Sequence, residues 1–424
     1  MEYFKKALPQ SPSVTQEIRD TVSRIISDVE REGITAVRRY SEMFDGWNPP
    51  SFRLSQHEIE EGLRVVDTGI ARAIDFAIEQ VSKFARLQLA TLTEFEAETL
   101  PGVTLGQKQI PVNAVGSYIP GGRYPLMASA VMTVGVPKVA GVKRVVATAP
   151  VQRGTNRINP AQLYAMVKSG ADEIFSIGGA QALAAMAFGI EDSPPLEPVD
   201  MIVGAGNAYV AEAKRQLFGV VGIDLLAGPT EVCILADETA SPEVVAADLL
   251  AQAEHGTNSQ SILVTTSRAL AEATAREIDR QLQTLPTAAV AGQAWHELGE
   301  IILVESDEEM VRVSDQIASE HLEVQTRDPE WFLARLTNYG SLFLGHNATV
   351  VYGDKGIGTN HVLPTNRAAR YTGGLWVGKF IKTVTWQKVT DAANRLVAPP
   401  IVTMADAEGM AGHAASARLR LVRD

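Results

Sequence analysis

The spacing of hydrophobic positions along the chain changes near residue 112. Before that point, across 14–44 and 56–89, apolar side chains recur every three or four residues, which predicts amphipathic helices. Beyond it, short runs of β-branched residues alternate with alanine-rich amphipathic stretches. That alternation favours parallel strands joined by crossover helices, so we expect an α/β core.

The same pattern predicts individual elements. Strands are expected at 144–148, 173–177, 201–203, 232–236, 261–265 and 300–304. Helices are expected at 160–169, 180–188, 208–218, 242–255 and 268–282, with a last helix at 406–420. The predicted fold has two Rossmann-like domains with parallel sheets, a helical N-terminal segment and a helical C-terminal tail.

A turn-rich stretch at Ala227, Gly228 and Pro229 indicates a break between the two domains. We therefore predict four parts. They are a helical segment with the start of the first α/β domain over 1–112, a Rossmann-like domain over 113–228, a second one over 229–385, and a tail over 386–424.

Composition and charge narrow the possible partners and compartment. Acidic residues outnumber basic ones by 50 to 38, which disfavours binding to the phosphates of nucleic acid. The single cysteine, Cys233, excludes an internal disulfide and a multi-cysteine zinc site. Residues 1–10 lack an apolar signal region, and the apolar stretch 125–142 is interrupted by Pro137 and Lys138. We therefore expect a cytoplasmic protein without a membrane segment.

Candidate metal ligands lie at the end of the helix predicted at 242–255. Gln252 and His255 are spaced i,i+3, so both side chains lie on one face and reach a common ion. Gln is an uncommon zinc ligand, and a carboxylate and further imidazoles are needed to complete such a site. Taken alone, the pair fits better an ordinary polar helix end, where His255 complements the helix dipole.

Two further segments combine carboxylates with imidazoles. Glu320 and His321 precede an apolar alternation, and at the end of an element the pair can divide general-base and water-activating roles. Asp354 and His361 lie in a glycine-rich loop, which allows close approach of a ligand. A solvated helix end and a simple turn are the respective alternatives.

Candidate nucleotide-binding turns follow predicted strands. Gly204 to Asn207 reads GAGN and precedes a helix, so backbone amides and the helix dipole can meet a pyrophosphate there. It lacks the third glycine of GxGxxG. A second such turn reads GGAQ, from Gly178 to Gln181.

These segments together resemble the histidinol dehydrogenase family across most of the chain. The matching motifs are SYIPGG from Ser117, GAQA from Gly179, GAGNAYV from Gly204, AGPTEV from Ala227, DLLAQAEHG from Asp248, SEHL from Ser319 and NHVLPT from Asn360, followed by Glu408 and His413.

The resemblance implies a homodimer with NAD as oxidant and one zinc ion per active site. It places NAD on the first Rossmann-like domain, the zinc and catalytic residues on the second, and the tail in the partner's site. The implied zinc ligands are Gln252, His255, Asp354 and His413, and the implied NAD-binding residues are Tyr118, Gln181 and Asn207. Glu320 and His321 would be the catalytic pair, while Thr230, His361 and Glu408 would face the substrate, with Glu408 and His413 supplied by the partner. The implied reaction removes four electrons from a primary alcohol and yields a carboxylate.

Departures from the family pattern bear on the substrate. Arg123 and Ala128 stand where family members usually have small residues and a serine, and Lys355 replaces an aromatic residue. With Arg367 and Arg370, the cations Arg123 and Lys355 suit an anionic substrate group. The pattern is similar to the branch that includes sulfopropanediol dehydrogenase, which oxidises 2,3-dihydroxypropane-1-sulfonate to sulfolactate.

Other interpretations stay open at this point. The cations also fit the protein surface or the phosphates of NAD, and Glu408 favours L-histidinol as the substrate. A non-catalytic nucleotide-binding protein and a metal-independent one are alternatives of other classes.

Overall fold

A computed structural model describes residues 1–9, 14–121 and 124–421 of the chain. The first elements are a short strand, four helices and a hairpin: β1 (Glu2–Lys5), α1 (Gln16–Glu32), α2 (Ile34–Asp45), α3 (Gln56–Arg64), α4 (Thr68–Leu89), β2 (Phe95–Leu100) and β3 (Val103–Pro111). Both long helical stretches expected from the pattern are divided in two. Gly33, at φ 55°, ends the first helix, and Asp67 caps the start of α4 by accepting from Gly69 N and Ile70 N.

The first α/β domain alternates strands and helices without interruption. Its elements are β4 (Ala114–Tyr118), α5 (Met127–Ala140), β5 (Arg144–Thr148), α6 (Pro160–Ser169), β6 (Glu173–Phe175), α7 (Gly179–Phe188), β7 (Met201–Val203), α8 (Ala208–Leu217) and β8 (Gly222–Ile223). The strands form a parallel sheet in the order β6-β5-β4-β7-β8. This order is the Rossmann arrangement, with its switch point between β4 and β7.

The second domain repeats that order. Its elements are β9 (Glu231–Ala236), α9 (Pro242–Ala253), β10 (Gln260–Thr265), α10 (Arg268–Leu282), α11 (Ala288–Leu298), β11 (Glu300–Leu303), α12 (Asp307–Ile317), β12 (His321–Gln325), α13 (Pro329–Leu333), β13 (Ser341–Leu344) and α14 (Val350–Lys355). The sheet runs β1-β11-β10-β9-β12-β13, parallel except for the antiparallel edge strand β1. The expected fold class, two parallel Rossmann-like units with helical ends, is confirmed.

The tail differs from the sequence expectation. After short 3-10 turns at Ala368–Arg370 and Val377–Phe380 come β14 (Ile381–Val389), α15 (Asp391–Ala407) and α16 (Ala411–Arg418). The single helix predicted at 406–420 is wrong, because Gly409 at φ 74° turns the chain between two helices. β14 pairs with β3, and β3 with β2, in an antiparallel three-stranded sheet.

The core lies on both faces of each parallel sheet. Valine and alanine of β4 and β5 are buried between α4, α5 and α6 on one side and α1, α2, α7 and α8 on the other. The N-terminal helices therefore complete the first domain, while β1 belongs to the second sheet. Within the described ranges, no helix combines the length and apolarity that crossing a bilayer requires.

Candidate active site

The catalytic candidate Glu320 lies at the amino ends of neighbouring parallel strands. His321 of β12 is in register with Val232 of β9, so the residues preceding each strand lie side by side. Glu320 Oε2 accepts hydrogen bonds from Thr230 Oγ1 at 2.5 Å and from Glu231 N at 3.0 Å. The Glu320 carboxyl is thus held within the protein and aimed at the start of β9.

His321 joins this carboxyl to the loop that carries Asp354. Its Nδ1 lies 3.0 Å from Glu231 O, which fixes Nδ1 as the protonated nitrogen. Its Nε2 therefore faces Asp354, with 3.4 Å to Oδ1, and the ring is only 2% exposed. Sequence reasoning missed Glu231, whose backbone orients both catalytic candidates, because a lone glutamate at the start of a strand carries no distinguishing signal.

Burial and charge shift the pKa values of these groups in different directions. Burial raises the pKa of Glu320 to about 7, although nearby His321 opposes the change. Burial lowers the pKa of His321, but the carboxylates of Glu320 and Asp354 outweigh it and raise the value to about 9. Burial raises the pKa of Asp354, but the hydrogen bond and charge of His321 lower it to about 2. The arrangement therefore contains a permanently charged carboxylate beside a proton-holding Glu–His pair.

The candidate metal ligands Gln252, His255 and Asp354 converge at this end of the second domain. Gln252 lies in the last turn of α9 and His255 two residues beyond its end, and His255 Nε2 lies 3.8 Å from Asp354 Oδ2. Gln252 Nε2 donates to Thr230 Oγ1, which leaves Gln252 Oε1 buried without a hydrogen-bond partner among the described residues. Its orphaned oxygen is therefore free to bind a cation.

His361 links the site to the first domain. Its Nε2 lies 3.0 Å from Ser129 Oγ in α5, and its Nδ1 lies 3.1 Å from Asp354 O. Burial lowers the pKa of His361, and the positive charge of Lys355 lowers it further, against the opposing effect of Asp354. Ser129, next to the Ala128 singled out from the sequence, was missed because its contact with His361 joins two elements 232 positions apart in the chain.

The cations named from the sequence are distributed unevenly. Exposed Lys355 lies close enough to act electrostatically on both His255 and His361. Arg367 and Arg370 are exposed on a turn, where Arg370 Nε donates to Arg367 O at 3.0 Å. Arg123 lies outside the described residues.

The tail residues Glu408 and His413 are exposed on and beside α15 and α16. Within 1–9, 14–121 and 124–421, no group of three or more His, Cys, Asp or Glu side chains is arranged to hold a metal. His413 of the same chain therefore does not join His255 and Asp354 in such a group.

The candidate NAD-binding residues cluster at the switch point of the first sheet. Tyr118 ends β4, its hydroxyl accepts from Gly179 N at 3.2 Å, and burial raises its pKa to about 12. A side chain at Gly204 would collide with the Tyr118 backbone, so the GAGN turn needs glycine there. Neither amide atom of Gln181 has a hydrogen-bond partner in the described part of the chain, although the residue is 1% exposed. Asn207 caps α8 by accepting from Tyr209 N and Val210 N.

A buried ion pair fixes the backbone of the GAGN turn. Lys214 of α8 pairs with Asp224, and their side chains are 2% and 0% exposed. Lys214 Nζ donates to Gly204 O at 2.9 Å, while Gly204 N donates to Asp224 Oδ2 at 2.9 Å. Both polar backbone atoms of one glycine are therefore fixed by the pair.

Comparisons with known proteins find relatives along almost the whole chain. A histidinol dehydrogenase family model matches residues 8–421. "Histidinol dehydrogenase homolog" of Shouchella clausii is 54% identical, covering 96% of this chain and 95% of that protein. "Sulfopropanediol 3-dehydrogenase" of Ruegeria pomeroyi is 48% identical, covering 100% and 97%. "Histidinol dehydrogenase" of Agrobacterium fabrum is 40% identical, covering 99% and 96%.

A solved structure matches the fold along almost the whole chain. The crystal structure of histidinol dehydrogenase from Elizabethkingia anophelis is 36% identical and superimposes with a TM-score of 0.91, covering 98% of this chain and 94% of that one. The resemblance inferred from the motifs is confirmed. The chain belongs to the histidinol dehydrogenase family, a family of NAD-dependent oxidoreductases.

Proposed function

We propose that this protein is a zinc-dependent, NAD-linked dehydrogenase that oxidises a primary alcohol through the aldehyde to the carboxylate. The proposed substrate is 2,3-dihydroxypropane-1-sulfonate and the product sulfolactate. The observation that carries the proposal is the position of Asp354, whose carboxylate faces both His321 and His255. One carboxylate there connects an acid–base pair to a set of metal donors.

The donor set fits zinc. Partial burial lowers the pKa of His255 and the surroundings hold that of Asp354 at about 2, so both are in ligand form at neutral pH. Their 3.8 Å separation is close to the roughly 3.4 Å between two ligands of a tetrahedral zinc ion. Gln252 would add its orphaned Oε1, and His413 of a second subunit would complete the set. When bound, zinc supplies Lewis-acid polarisation of the substrate's oxygen and orients it.

The catalytic pair would move protons in two successive oxidations. In the first, His321 takes the hydroxyl proton while hydride leaves the carbon for NAD⁺, which yields the aldehyde, NADH and one proton. In the second, Glu320 takes a proton from water as the water oxygen bonds to the aldehyde carbon, and the resulting hydrate loses hydride to a second NAD⁺, which yields the carboxylate, NADH and two protons. The charge of Glu320 and then that of Asp354 raise the pKa of His321, so a cation on Asp354 would neutralise the second of these charges and lower that pKa toward the range of a base at neutral pH.

The substrate assignment rests on charge near the site and on the relatives. Lys355 is a cation beside His255 and His361, and a sulfonate is an anion of matching charge. The relative named sulfopropanediol 3-dehydrogenase is 48% identical, against 40% for the one named histidinol dehydrogenase. Retention of Glu408 is the observation that favours L-histidinol as the second candidate.

Steady-state NADH formation by the purified zinc-loaded protein tests the assignment. We expect turnover of 2,3-dihydroxypropane-1-sulfonate with kcat/KM at least tenfold above that for L-histidinol. Turnover of L-histidinol alone would show that L-histidinol, and not the sulfonate, is the substrate. If neither compound were oxidised in a zinc-dependent reaction, the proposed function would be refuted for both candidate substrates.

We also propose that the active unit is a homodimer in which the tail completes the partner's site. Large apolar side chains on the tail are exposed in the single chain, including Leu396 at 61%, Met404 at 61% and Leu419 at 69%. Exposed apolar side chains of this kind are typical of a protein–protein interface, and α15 and α16 pack chiefly on each other.

Co-expression of inactive His255→Ala and His413→Ala chains tests the proposed dimer, because a mixed dimer keeps one intact site. Recovery of about a quarter of the activity is expected from random pairing, and no recovery would refute it.

A further inference from the structure

A second layer of buried polar groups lies behind the candidate site in the second domain. Gln325 Nε2 donates to Asp248 Oδ2 at 2.8 Å and to Glu323 Oε2 at 3.0 Å. Thr349 Oγ1 donates to Asp248 Oδ1 at 3.1 Å, and Val350 N donates to Glu323 Oε1 at 2.9 Å. The Glu323 and Gln325 side chains are buried, so these bonds are not exchanged with water.

Each element that carries a site residue also contributes to this layer. On α9, Asp248 lies one helical turn before Gln252, on the same face. On β12, Glu323 follows His321 on the same face of the strand. On α14, Val350 begins the helix whose last turn holds Asp354. Each of these residues of the layer therefore lies one helical turn, or two strand positions, from a residue of the candidate site.

One amide nitrogen bridges the two carboxyl groups, because Gln325 Nε2 donates both to Asp248 on α9 and to Glu323 on β12. Burial and the charge of Asp248 raise the pKa of Glu323, and burial raises that of Asp248. The bridge makes the pair a continuous connection between α9 and β12.

We propose that the Asp248–Glu323 pair is a positioning device that fixes Asp354 relative to Gln252 and His321, and so sets the zinc affinity of the site. The inference rests on the proposed zinc site. Glu323 fixes the start of α14 through Val350 N, and Asp248 fixes it through Thr349. Because α14 has 6 residues, which is fewer than two helical turns, a shift at Val350 moves Asp354 directly.

Zinc affinity of the full-length, metal-stripped protein, measured by competition with a chelating dye, tests the proposal. Glu323→Ala removes the acceptor for Val350 N and should weaken zinc binding about 10- to 100-fold, as loss of groups that orient metal ligands commonly does. Glu323→Gln keeps an amide oxygen as the acceptor for Val350 N. It should recover most of the affinity.

Glu212→Ala is the matched control, because Glu212 is a buried glutamate of the first domain paired with Arg215. It should leave zinc affinity unchanged. The visible absorption of the cobalt-substituted protein gives a second readout, since its band pattern changes when a ligand is displaced in Glu323→Ala and not in Glu212→Ala.

The outcomes separate this inference from the proposed function. If the unaltered protein binds no zinc, the zinc site fails and the inference with it. If the unaltered protein binds zinc and a folded Glu323→Ala binds it equally well, only the inference is overturned. An equal loss in Glu212→Ala would likewise overturn it. If Glu323→Ala does not fold, Asp248→Asn decides, because it keeps the acceptor for Thr349 Oγ1 but replaces the acceptor for Gln325 Nε2 with a donor. Unchanged zinc affinity and an unchanged cobalt spectrum in Asp248→Asn would then refute a positioning role.

Discussion

Nε2 of His321 lies 3.4 Å from Oδ1 of Asp354, while the other oxygen of that carboxylate lies 3.8 Å from Nε2 of His255. Asp354 therefore stands between the candidate proton acceptor and a candidate metal ligand. A cation bound at Asp354 would change the charge that His321 experiences, so metal binding and proton transfer are expected to be coupled.

Replacing His255 should abolish zinc binding and activity together. Removal of one of four ligands leaves a site that binds zinc weakly, so we expect His255→Ala to contain less than a tenth of the zinc and to form NADH at least 100-fold more slowly. Zinc content by atomic emission and NADH formation check this. His57→Ala is the control, because His57 is exposed on α3, where its Nε2 lies 3.6 Å from Glu61 Oε1. Full activity of chelator-treated protein and of His255→Ala would disprove the metal requirement.

Replacing Glu320 should separate the two oxidations. Glu320→Gln keeps an acceptor for Thr230 Oγ1 and Glu231 N but cannot remove a proton from water. We expect overall turnover to fall about 10²- to 10⁴-fold. With one equivalent of enzyme and limiting alcohol, rapid quench should give one NADH per substrate and trapped aldehyde, where the unaltered protein gives two. A stoichiometry of two formed at an unchanged rate would remove Glu320 from the water-activating step.

Replacing Lys355 should weaken binding of an anionic substrate. Lys355→Met removes the cation beside His255 and His361 and is expected to raise the KM for 2,3-dihydroxypropane-1-sulfonate roughly tenfold, equivalent to about 1.4 kcal/mol, with little change in the KM for NAD⁺. Arg370→Met serves as control, since its side chain bonds to Arg367 O on an exposed turn. Equal effects of the two substitutions would argue against a specific role for Lys355.

Replacing Lys214 should weaken NAD⁺ binding at the GAGN turn. Lys214→Met removes a charged hydrogen bond to Gly204 O and leaves Asp224 buried and unpaired. Loss of such a bond is worth about 1.5–3 kcal/mol, so the Kd for NAD⁺ by titration calorimetry should rise tenfold or more. Arg215→Met, the next residue of α8, carries an exposed guanidinium and should bind NAD⁺ normally. A folded Lys214→Met with an unaltered Kd would show that the pair serves stability alone.

The sequence predicted those parts of the fold where apolar spacing is regular. The strand at 144–148 and the helices at 160–169 and 268–282 agree with β5, α6 and α10 in both bounds. Helix α5 escaped prediction because it is buried on nearly all sides and therefore has no polar face to give a helical period. The domain limits drawn from composition stay predictions.

The site was less accessible to sequence reasoning. Single residues gave weak signals, and only the family motifs joined Glu320, Asp354 and Gln252. No role was predicted for Glu323 or for Asp248, which opens the motif DLLAQAEHG, because an acid within an apolar run is usually taken as a solvent-facing position of a strand or helix. The bridge between them through Gln325 depends on pairing between elements far apart in the chain, which no local pattern records. The roles of His413 and Glu408 remain predictions.

The short strand β1 has a consequence for any shortened form of the protein. It pairs antiparallel with β11 and so occupies the outer edge of the second sheet. Deleting the first few residues would expose the amide and carbonyl groups of Glu300–Leu303, whose side chains are largely apolar. An open, apolar edge of this kind templates pairing with other chains. Aggregation, with the catalytic groups themselves still folded, is the expected fate of a protein trimmed at that end.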